Sequence, residues 1–226
     1  MSNASIAQEL LGDNYLGEDA WKKLGIEDSD IPSLSDEMLA EARRLQTKGE
    51  QPLLVLDLGK SIAEMERLCK AKGITVFSTQ YEDNTKNLRA ETCYQATVKD
   101  FRWLLLPGSD HGVLPGSRNK SYAAQVQYME ANYPGYVVGG VRELVTLAML
   151  KHIQDGTVLF GVNYGRCQKE YQTGDCKGTL IWLGAVKPSS SSDFGGLGFT
   201  LPRLTFPDTL HLPHPRVGLF SCLVGS

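Results

Sequence analysis

The feature that most constrains the fold is a continuous apolar run followed at once by a helix-start signal. Residues 53–58 read Leu-Leu-Val-Leu-Asp-Leu, which is typical of a strand buried on both faces. Ser61 and Glu64 then form a capping box, which marks the first turn of a helix. A helix to about Lys72 and a second apolar run at 74–78 complete the pattern. The sequence therefore predicts a parallel β-α-β unit with a right-handed crossover in the first half of the chain.

Three other segments have the 3.6-residue periodicity of amphipathic helices. Residues 36–48 follow Ser35, a favourable N-cap, and residues 120–132 end before a Tyr-Pro-Gly break. Residues 141–154 carry the most regular apolar face and are followed by Gly156, a typical C-terminal stop. With the helix after the first apolar run, the sequence predicts about four packed helices.

The remaining apolar runs are short and are predicted to be strands. They lie at 101–106, 157–160, 179–186, 197–201 and 217–224. The first half of the chain alternates β and α elements, whereas the second half has consecutive strands. This order indicates a fold class from α/β to α+β, in which one domain contains a mixed β-sheet with helices packed on it.

Composition divides this domain into four stretches. Residues 1–4 are predicted to be an expression remnant, and residues 5–50, which are polar and helix-prone, a helical N-terminal wrap. Residues 51–205 are predicted to form the α/β core, and residues 206–226 a Pro-rich C-terminal tail. A flexible Ser/Gly loop is expected at 188–196.

Charge and hydropathy exclude several classes of protein. The 226 residues carry a formal net charge of −3, and 42% of them are hydrophobic. The chain is too apolar to be disordered throughout, and it lacks the basic excess that nucleic-acid and anionic-membrane binders show. No apolar run approaches the roughly 18 residues of a transmembrane helix. Neither a nucleic acid nor a membrane is therefore expected as a partner.

Cysteine usage indicates the compartment. The five cysteines are odd in number and scattered, unlike the dense, even set of a secreted disulfide scaffold. Because the N-terminus also lacks the pattern of a signal peptide, we expect thiols in the cytoplasm. The tryptophans Trp21, Trp103 and Trp182 are expected to anchor the core.

The segment Gly-Ser-Arg-Asn-Lys-Ser-Tyr at 116–122 is the strongest candidate binding motif. It lies between a predicted strand and a predicted helix, where free backbone N–H groups and the helix dipole favour an anion. Ser117 or Asn119 is expected to cap the helix, and Arg118 and Lys120 add cationic donors. The alternative is an ordinary capped helix start with solvent-exposed basic side chains.

The candidate catalytic residues lie on either side of this motif. Asp110 and His111 precede it, and a carboxylate beside a histidine suits acid–base chemistry, although Asp-His-Gly is also a common turn composition. Cys167 follows Arg166 in a predicted turn at 164–170; a neighbouring cation favours the thiolate, whereas a buried structural cysteine is the alternative. No Cys or His spacing fits a structural zinc site, so neither a metal nor a cofactor is expected.

Several of these stretches together resemble an uncharacterised family of bacterial proteins found in chlamydia-like organisms, planctomycetes and Legionella-type bacteria. The resemblance covers about residues 20–204 and depends most on Leu-Pro-Gly-Ser-Arg-Asn-Lys-Ser-Tyr at 114–122. Its other residues are Trp21, Pro32, Leu53 to Leu56, Trp103, Leu104, Arg142 to Leu144, Tyr164, Arg166 to Gln168, Gly196 to Gly198 and Arg203. The family has no assigned activity, so the resemblance implies no mechanism.

The resemblance nevertheless ranks the candidate residues. In the family pattern the strand leads almost directly into the motif, so the segment 107–112, with Asp110 and His111, looks like an insertion. The candidates that remain as a shared ligand-binding site are Ser117, Arg118, Asn119, Lys120, Tyr122 and Arg166. The expected location, from the absence of a signal peptide and of a transmembrane run, is the cytoplasm or, after delivery, a host cytosol.

Three interpretations of the function follow. The first is a binding or interaction module, effector-like or accessory, that recognises an anionic small molecule or a protein partner. The second is a small enzyme that acts on a phosphorylated or nucleotide-like substrate, with a reactive Cys167 or His111. In the third, Arg118 and Asn119 are structural and tie the loop to buried carbonyl groups. The sequence leaves open whether the protein is an enzyme.

Overall fold

A computed structural model describes most of the chain. The described residues are 2–27, 31–73, 92–95, 97–99, 101–108, 112–157, 159, 164–173, 176–186, 198–200 and 217–225. Asp110, His111, the predicted strand at 74–78 and the predicted loop at 188–196 lie outside them. Within the described ranges, none of the helices has the length and apolar composition that a bilayer crossing requires.

Helices and strands alternate through the first two thirds of the chain. The helices are α1 (Asn3–Leu11), α2 (Glu18–Lys23), α3 (Asp36–Thr47), α4 (Ile62–Ala71), α5 (Thr92–Gln95), α6 (Tyr122–Asn132) and α7 (Val141–Asp155), with a 3-10 turn at Gly12–Asn14. The strands are β1 (Tyr15–Leu16), β2 (Leu53–Asp57), β3 (Arg102–Leu106), β4 (Val137–Val138), β5 (Tyr164–Thr173), β6 (Cys176–Val186), β7 (Gly198–Thr200), β8 (Val217–Leu219) and β9 (Ser221–Gly225).

The strands form two sheets. The five-stranded sheet has the order β1-β2-β3-β9-β4, and the four-stranded sheet has the order β7-β6-β5-β8. The β1–β2 and β5–β8 pairs are parallel, and the other neighbours are antiparallel. The predicted class, a single domain between α/β and α+β with mixed strands and packed helices, is confirmed. The parallel pair in the first half is β1–β2, which α2 and α3 connect.

Strand β2 lies where its composition predicts. All five of its residues are buried, and β1 and β3 flank it on either side. The helix-start signal that follows is also confirmed, because the Ser61 hydroxyl accepts from the Glu64 N–H at 3.2 Å at the start of α4. The carboxylate of Glu64 pairs with Lys60 at 3.3 Å.

The N-terminal helices are tied to the sheet by two tryptophans. The indole N–H of Trp21 donates to the Leu56 carbonyl of β2 at 2.8 Å, and that of Trp103 in β3 donates to the Pro32 carbonyl at 2.9 Å. Both rings are buried, as expected for core anchors. Residues 2–4 form the start of α1, where Asn3 donates to the Leu34 carbonyl at 2.8 Å. These residues thus take part in the packing of the helical wrap.

Residues 217–225 connect the two sheets. Strand β8 pairs with β5 in one sheet, and β9 pairs with β3 and β4 in the other. Between them Phe220 is fully buried; its N–H donates to the Arg166 carbonyl at 2.9 Å, and its carbonyl accepts from Gly139 at 3.0 Å. The described part of the predicted C-terminal tail is therefore built into both sheets.

The helices predicted from periodicity lie where they were expected, except that α6 begins later than predicted. Helix α3 begins after the N-cap Ser35, and α7 ends at Gly156, whose positive φ of 76° matches a left-handed C-cap. The helix predicted at 120–132 begins instead at Tyr122. The predicted strand at 157–160 is not formed at Thr157, whose N–H donates to the Asp155 carboxylate at 2.9 Å.

Candidate functional site

The buried side chain of Ser117 holds the turn that carries the basic motif. This side chain is fully buried, and its hydroxyl donates to the Leu114 carbonyl at 2.6 Å. The same oxygen accepts from the Leu219 N–H of β8 at 2.9 Å. Leu114 itself donates from its N–H to the Leu219 carbonyl at 2.7 Å. Two of these hydrogen bonds join the turn to the four-stranded sheet, and the bond between Ser117 and Leu114 closes the turn itself.

Arg166 extends this network from β5. The segment 164–170 was predicted to be a turn, and that prediction is wrong, because it is the first part of a long antiparallel strand. The Arg166 guanidinium donates from Nη1 to the Gln125 side-chain oxygen at 3.1 Å and to the Lys120 carbonyl at 3.3 Å. Gln125 in turn donates to the Ser117 carbonyl at 2.9 Å. Ser117, Gln125 and Arg166 thus hold the backbone of the turn at two points.

Burial affects the ionisation of Arg166. The side chain is fully buried, and loss of hydration lowers its pKa to about 10, while the nearby Tyr122 phenol opposes that change. Arg166 therefore remains a cation at neutral pH. Burial also raises the pKa of the Tyr122 phenol, so that group is neutral at neutral pH.

Three residues of the motif, unlike the buried network, reach solvent. Arg118 and Lys120 are half-buried, and Asn119 is exposed with a positive φ of 57°. The Lys120 ammonium lies 5.2 Å from the centre of the Tyr128 ring, within the range of a cation–π contact. The left-handed residue Asn119 separates the two cations, and asparagine tolerates this conformation better than most residues do.

The cap of α6 is Ser121. Its hydroxyl accepts from the Ala124 N–H at 3.3 Å, so the expectation that Ser117 or Asn119 caps this helix is wrong. Ser117 is instead committed to the sheet, and Asn119 lies in the preceding turn. The early N–H groups of a helix that a cap leaves unsatisfied keep their affinity for an anion, here directly after the two basic side chains.

Of the candidate catalytic residues, Cys167 lies in the described part of the chain. Cys167 is fully buried, and its Sγ lies 3.9 Å from the Gly165 carbonyl. This environment fits the structural interpretation of the cysteine better than that of a nucleophile that must meet a substrate. Asp110 and His111 lie outside the described residues. Among those described, no group of three His, Cys, Asp or Glu side chains is placed to hold a metal.

A second charged cluster was not predicted from the sequence. Asp57, at the end of β2, is fully buried and accepts from Arg142 of α7 on both oxygens, at 2.7 and 2.5 Å. Arg102 donates to Asp57 at 3.2 Å and to Glu143 at 2.6 Å. Burial alone would favour the neutral acid, but hydrogen bonds from Arg142 and the Gly59 N–H hold the pKa of Asp57 below its usual value. The cluster joins two strands to a helix.

A cleft of about 200 Å³ lies elsewhere on the molecule. It is lined by Glu18, Trp21, Lys22, Ile26, Glu27, Ile31 and Leu58. None of these residues belongs to the basic turn or to its buried network. The cleft and the motif are therefore separate features.

Comparison with known proteins finds no match: no protein-family model, curated protein or solved structure is significantly similar to the chain. The resemblance to the bacterial family therefore stays a prediction.

Proposed function

We propose that the protein is a binding module that recognises an anionic group through Arg118 and Lys120 on the turn before α6. The observation that supports this most is the buried network beneath the turn. Arg166 and Gln125 bind the backbone at Lys120 and Ser117, so the two cationic residues start from a backbone held in place before any ligand arrives.

Such preorganisation favours binding because less conformational entropy is lost when the complex forms. The peptide groups of the turn are restrained at Ser117 and Lys120, so little backbone ordering is needed when an anion binds. Lys120 is restrained further by its contact with the Tyr128 ring. A flexible loop with the same charges would bind an anion more weakly.

The chemistry of the turn suits phosphate or carboxylate. An arginine offers a planar pair of donors that matches two oxygens, and a lysine adds a compact point charge. The start of α6 contributes the positive end of its dipole at the same place. A singly or doubly charged oxyanion would satisfy all three elements.

We favour binding over catalysis because Cys167 is buried and is bonded within its own strand. Ser117 and Arg166 then have a positioning role, since their described hydrogen bonds go to the protein itself. We further propose a cytosolic location, in the bacterium or in a host. It is supported by the three cysteines whose side chains are described, Cys69, Cys167 and Cys222, which are thiols rather than disulfides.

The test is a titration with inorganic phosphate followed by amide NMR. We expect progressive shifts confined to residues 117–122 in the wild-type protein. The double variant Arg118→Ala/Lys120→Ala should bind at least about tenfold more weakly, because both cationic donors are gone. Its melting temperature should stay close to that of the wild type, since neither side chain is fully buried.

The matched control removes the same two residue types from an exposed helix face. Arg67 and Lys70 lie exposed on α4, so Arg67→Ala/Lys70→Ala changes the net charge equally. This control should bind phosphate as the wild type does. An equal loss in both double variants, or phosphate binding that survives in Arg118→Ala/Lys120→Ala, would reject the proposed site.

A further inference from the structure

A row of tyrosines continues from the basic turn along one side of the molecule. The rings of Tyr128 and Tyr133 lie 6.4 Å apart, and those of Tyr133 and Tyr136 lie 5.7 Å apart with an edge-to-face orientation. Tyr128 is half-buried, whereas Tyr133 and Tyr136 are buried. The row therefore has one partly accessible end, at the basic turn.

Two lysines from different segments cover this row. Lys120, in the turn, lies over Tyr128, and Lys48, just after α3, lies over Tyr133 with its Nζ 5.7 Å from the ring centre. We call Lys48, Lys120, Tyr128 and Tyr133 the lysine–tyrosine row. Because successive contacts along it measure 5.2, 6.4 and 5.7 Å, the positive surface extends well beyond the turn.

The other charges near this row leave it positive. Glu50 faces it, since its Oε1 accepts from the Tyr133 hydroxyl at 2.9 Å. Arg44 and Glu41 bind each other through two hydrogen bonds of 2.5 and 2.6 Å and so offset each other. Among the described side chains, the lysine–tyrosine row therefore carries two cations, Lys48 and Lys120, and one carboxylate outside the Arg44–Glu41 pair, that of Glu50.

We propose that the partner recognised at the basic turn is an extended acidic peptide segment of another protein, which runs from Arg118 along the lysine–tyrosine row to Lys48. This inference rests on the proposed function and names its class of ligand. An extended hexapeptide spans about 20 Å, enough to follow the row. Point charges spaced along a surface attract successive acidic side chains and fix their register.

A single-stranded nucleic acid fits the same surface less well. It needs aromatic faces on which bases can stack, but Tyr133 is only 4% exposed and a lysine lies over each of the two rings. An acidic peptide needs no exposed aromatic face, because its charges are carried on side chains that can reach the two lysines.

The experiment measures binding of a fluorescent hexaglutamate peptide by anisotropy, with hexaglutamine and single-stranded hexathymidylate as comparison probes. Wild-type protein should bind hexaglutamate and not hexaglutamine. Lys48→Ala should weaken hexaglutamate binding about two- to fivefold, while Lys70→Ala on α4 should leave it unchanged. Glu50→Gln should tighten it, because the carboxylate that accepts from Tyr133 is replaced by a neutral group.

A variant that has lost its structure would bind hexaglutamate more weakly, so tighter binding by Glu50→Gln cannot come from unfolding. Unchanged hexaglutamate affinity in both Lys48→Ala and Glu50→Gln would overturn the proposal. So would tighter binding of hexathymidylate than of hexaglutamate. The phosphate titration of Lys48→Ala separates the two proposals: if phosphate still binds at 117–122 but hexaglutamate does not depend on Lys48, only the peptide proposal fails.

Discussion

Arg142 donates a hydrogen bond from each of its two Nη atoms to the carboxylate of Asp57, at 2.7 and 2.5 Å, and Asp57 is completely buried. The pair fastens the start of α7 to the end of β2, and Arg102 of β3 joins the same carboxylate. Removing one partner of such a pair leaves an uncompensated charge in a medium of low polarity, which is far more costly than the pair itself is stabilising.

We therefore expect Arg142→Met to lower the free energy of unfolding by about 3–5 kcal/mol, because Asp57 would be left buried with only Arg102 and the Gly59 N–H. Urea denaturation measures this. Arg67→Met, on the exposed face of α4, should cost little. The double variant Arg142→Met/Asp57→Leu should recover part of the loss; no recovery would show that the arginine acts through packing alone.

The same pair predicts how stability depends on pH. Because the pKa of Asp57 is lower in the folded protein than its usual value of 3.8, its contribution is complete above that value and is lost as the pH falls below it. Urea midpoints measured between pH 7 and pH 3 should fall steeply at the acidic end. In Asp57→Asn the starting stability should be lower and the acidic fall shallower. Identical slopes would contradict this assignment.

Glu50 should behave in the opposite sense. Burial raises its pKa, although the Tyr133 hydroxyl and Lys48 oppose that shift. A group whose pKa is raised by folding binds its proton more tightly in the folded state, so its ionised form destabilises the fold at neutral pH. Glu50→Gln should therefore raise the melting temperature at pH 7, and the difference should vanish below about pH 4. A lower melting temperature at pH 7 would show that the bond from Tyr133 dominates.

Gln125 should affect both stability and binding without touching a ligand. Gln125→Leu removes an acceptor of Arg166 and a donor to the Ser117 carbonyl, both buried, so we expect a loss of about 1–3 kcal/mol in urea denaturation. Phosphate affinity should fall as well, because the turn is less rigid. The control Gln127→Leu, two residues away and exposed, should change neither quantity. Loss of stability with unchanged phosphate affinity would show that the buried hydrogen bonds of Gln125 stabilise the fold but do not contribute to binding at the turn.

Local signals in the sequence were enough to predict some of the helices and strands. The apolar run of β2, the Ser61 cap and the regular face of α7 depend on neighbours within a few residues, and each was predicted correctly. The cap of α6 was misplaced because three capping residues, Ser117, Asn119 and Ser121, lie within five positions. Only the path of the chain decides which of them faces the helix.

The buried network could not be predicted because its bonds are long-range. The acceptors of Arg166 come from residues 41 and 46 positions earlier in the chain, Gln125 and Lys120. The segment 164–170 was predicted to be a turn, whereas pairing with β6 makes it a strand. The pairing of Asp57 with Arg142, which are 85 positions apart, could not be predicted for the same reason.

The passage of one continuous segment from β8 through Phe220 into β9 has a consequence for synthesis. Residues 217–225 follow every other described element in the chain, yet β4 joins its sheet only through β9. While the ribosome is still making this segment, β4 has no strand to pair with and the turn at Ser117 lacks its bond to Leu219. The basic turn can therefore acquire its final shape only after residues 217–225 have left the ribosome.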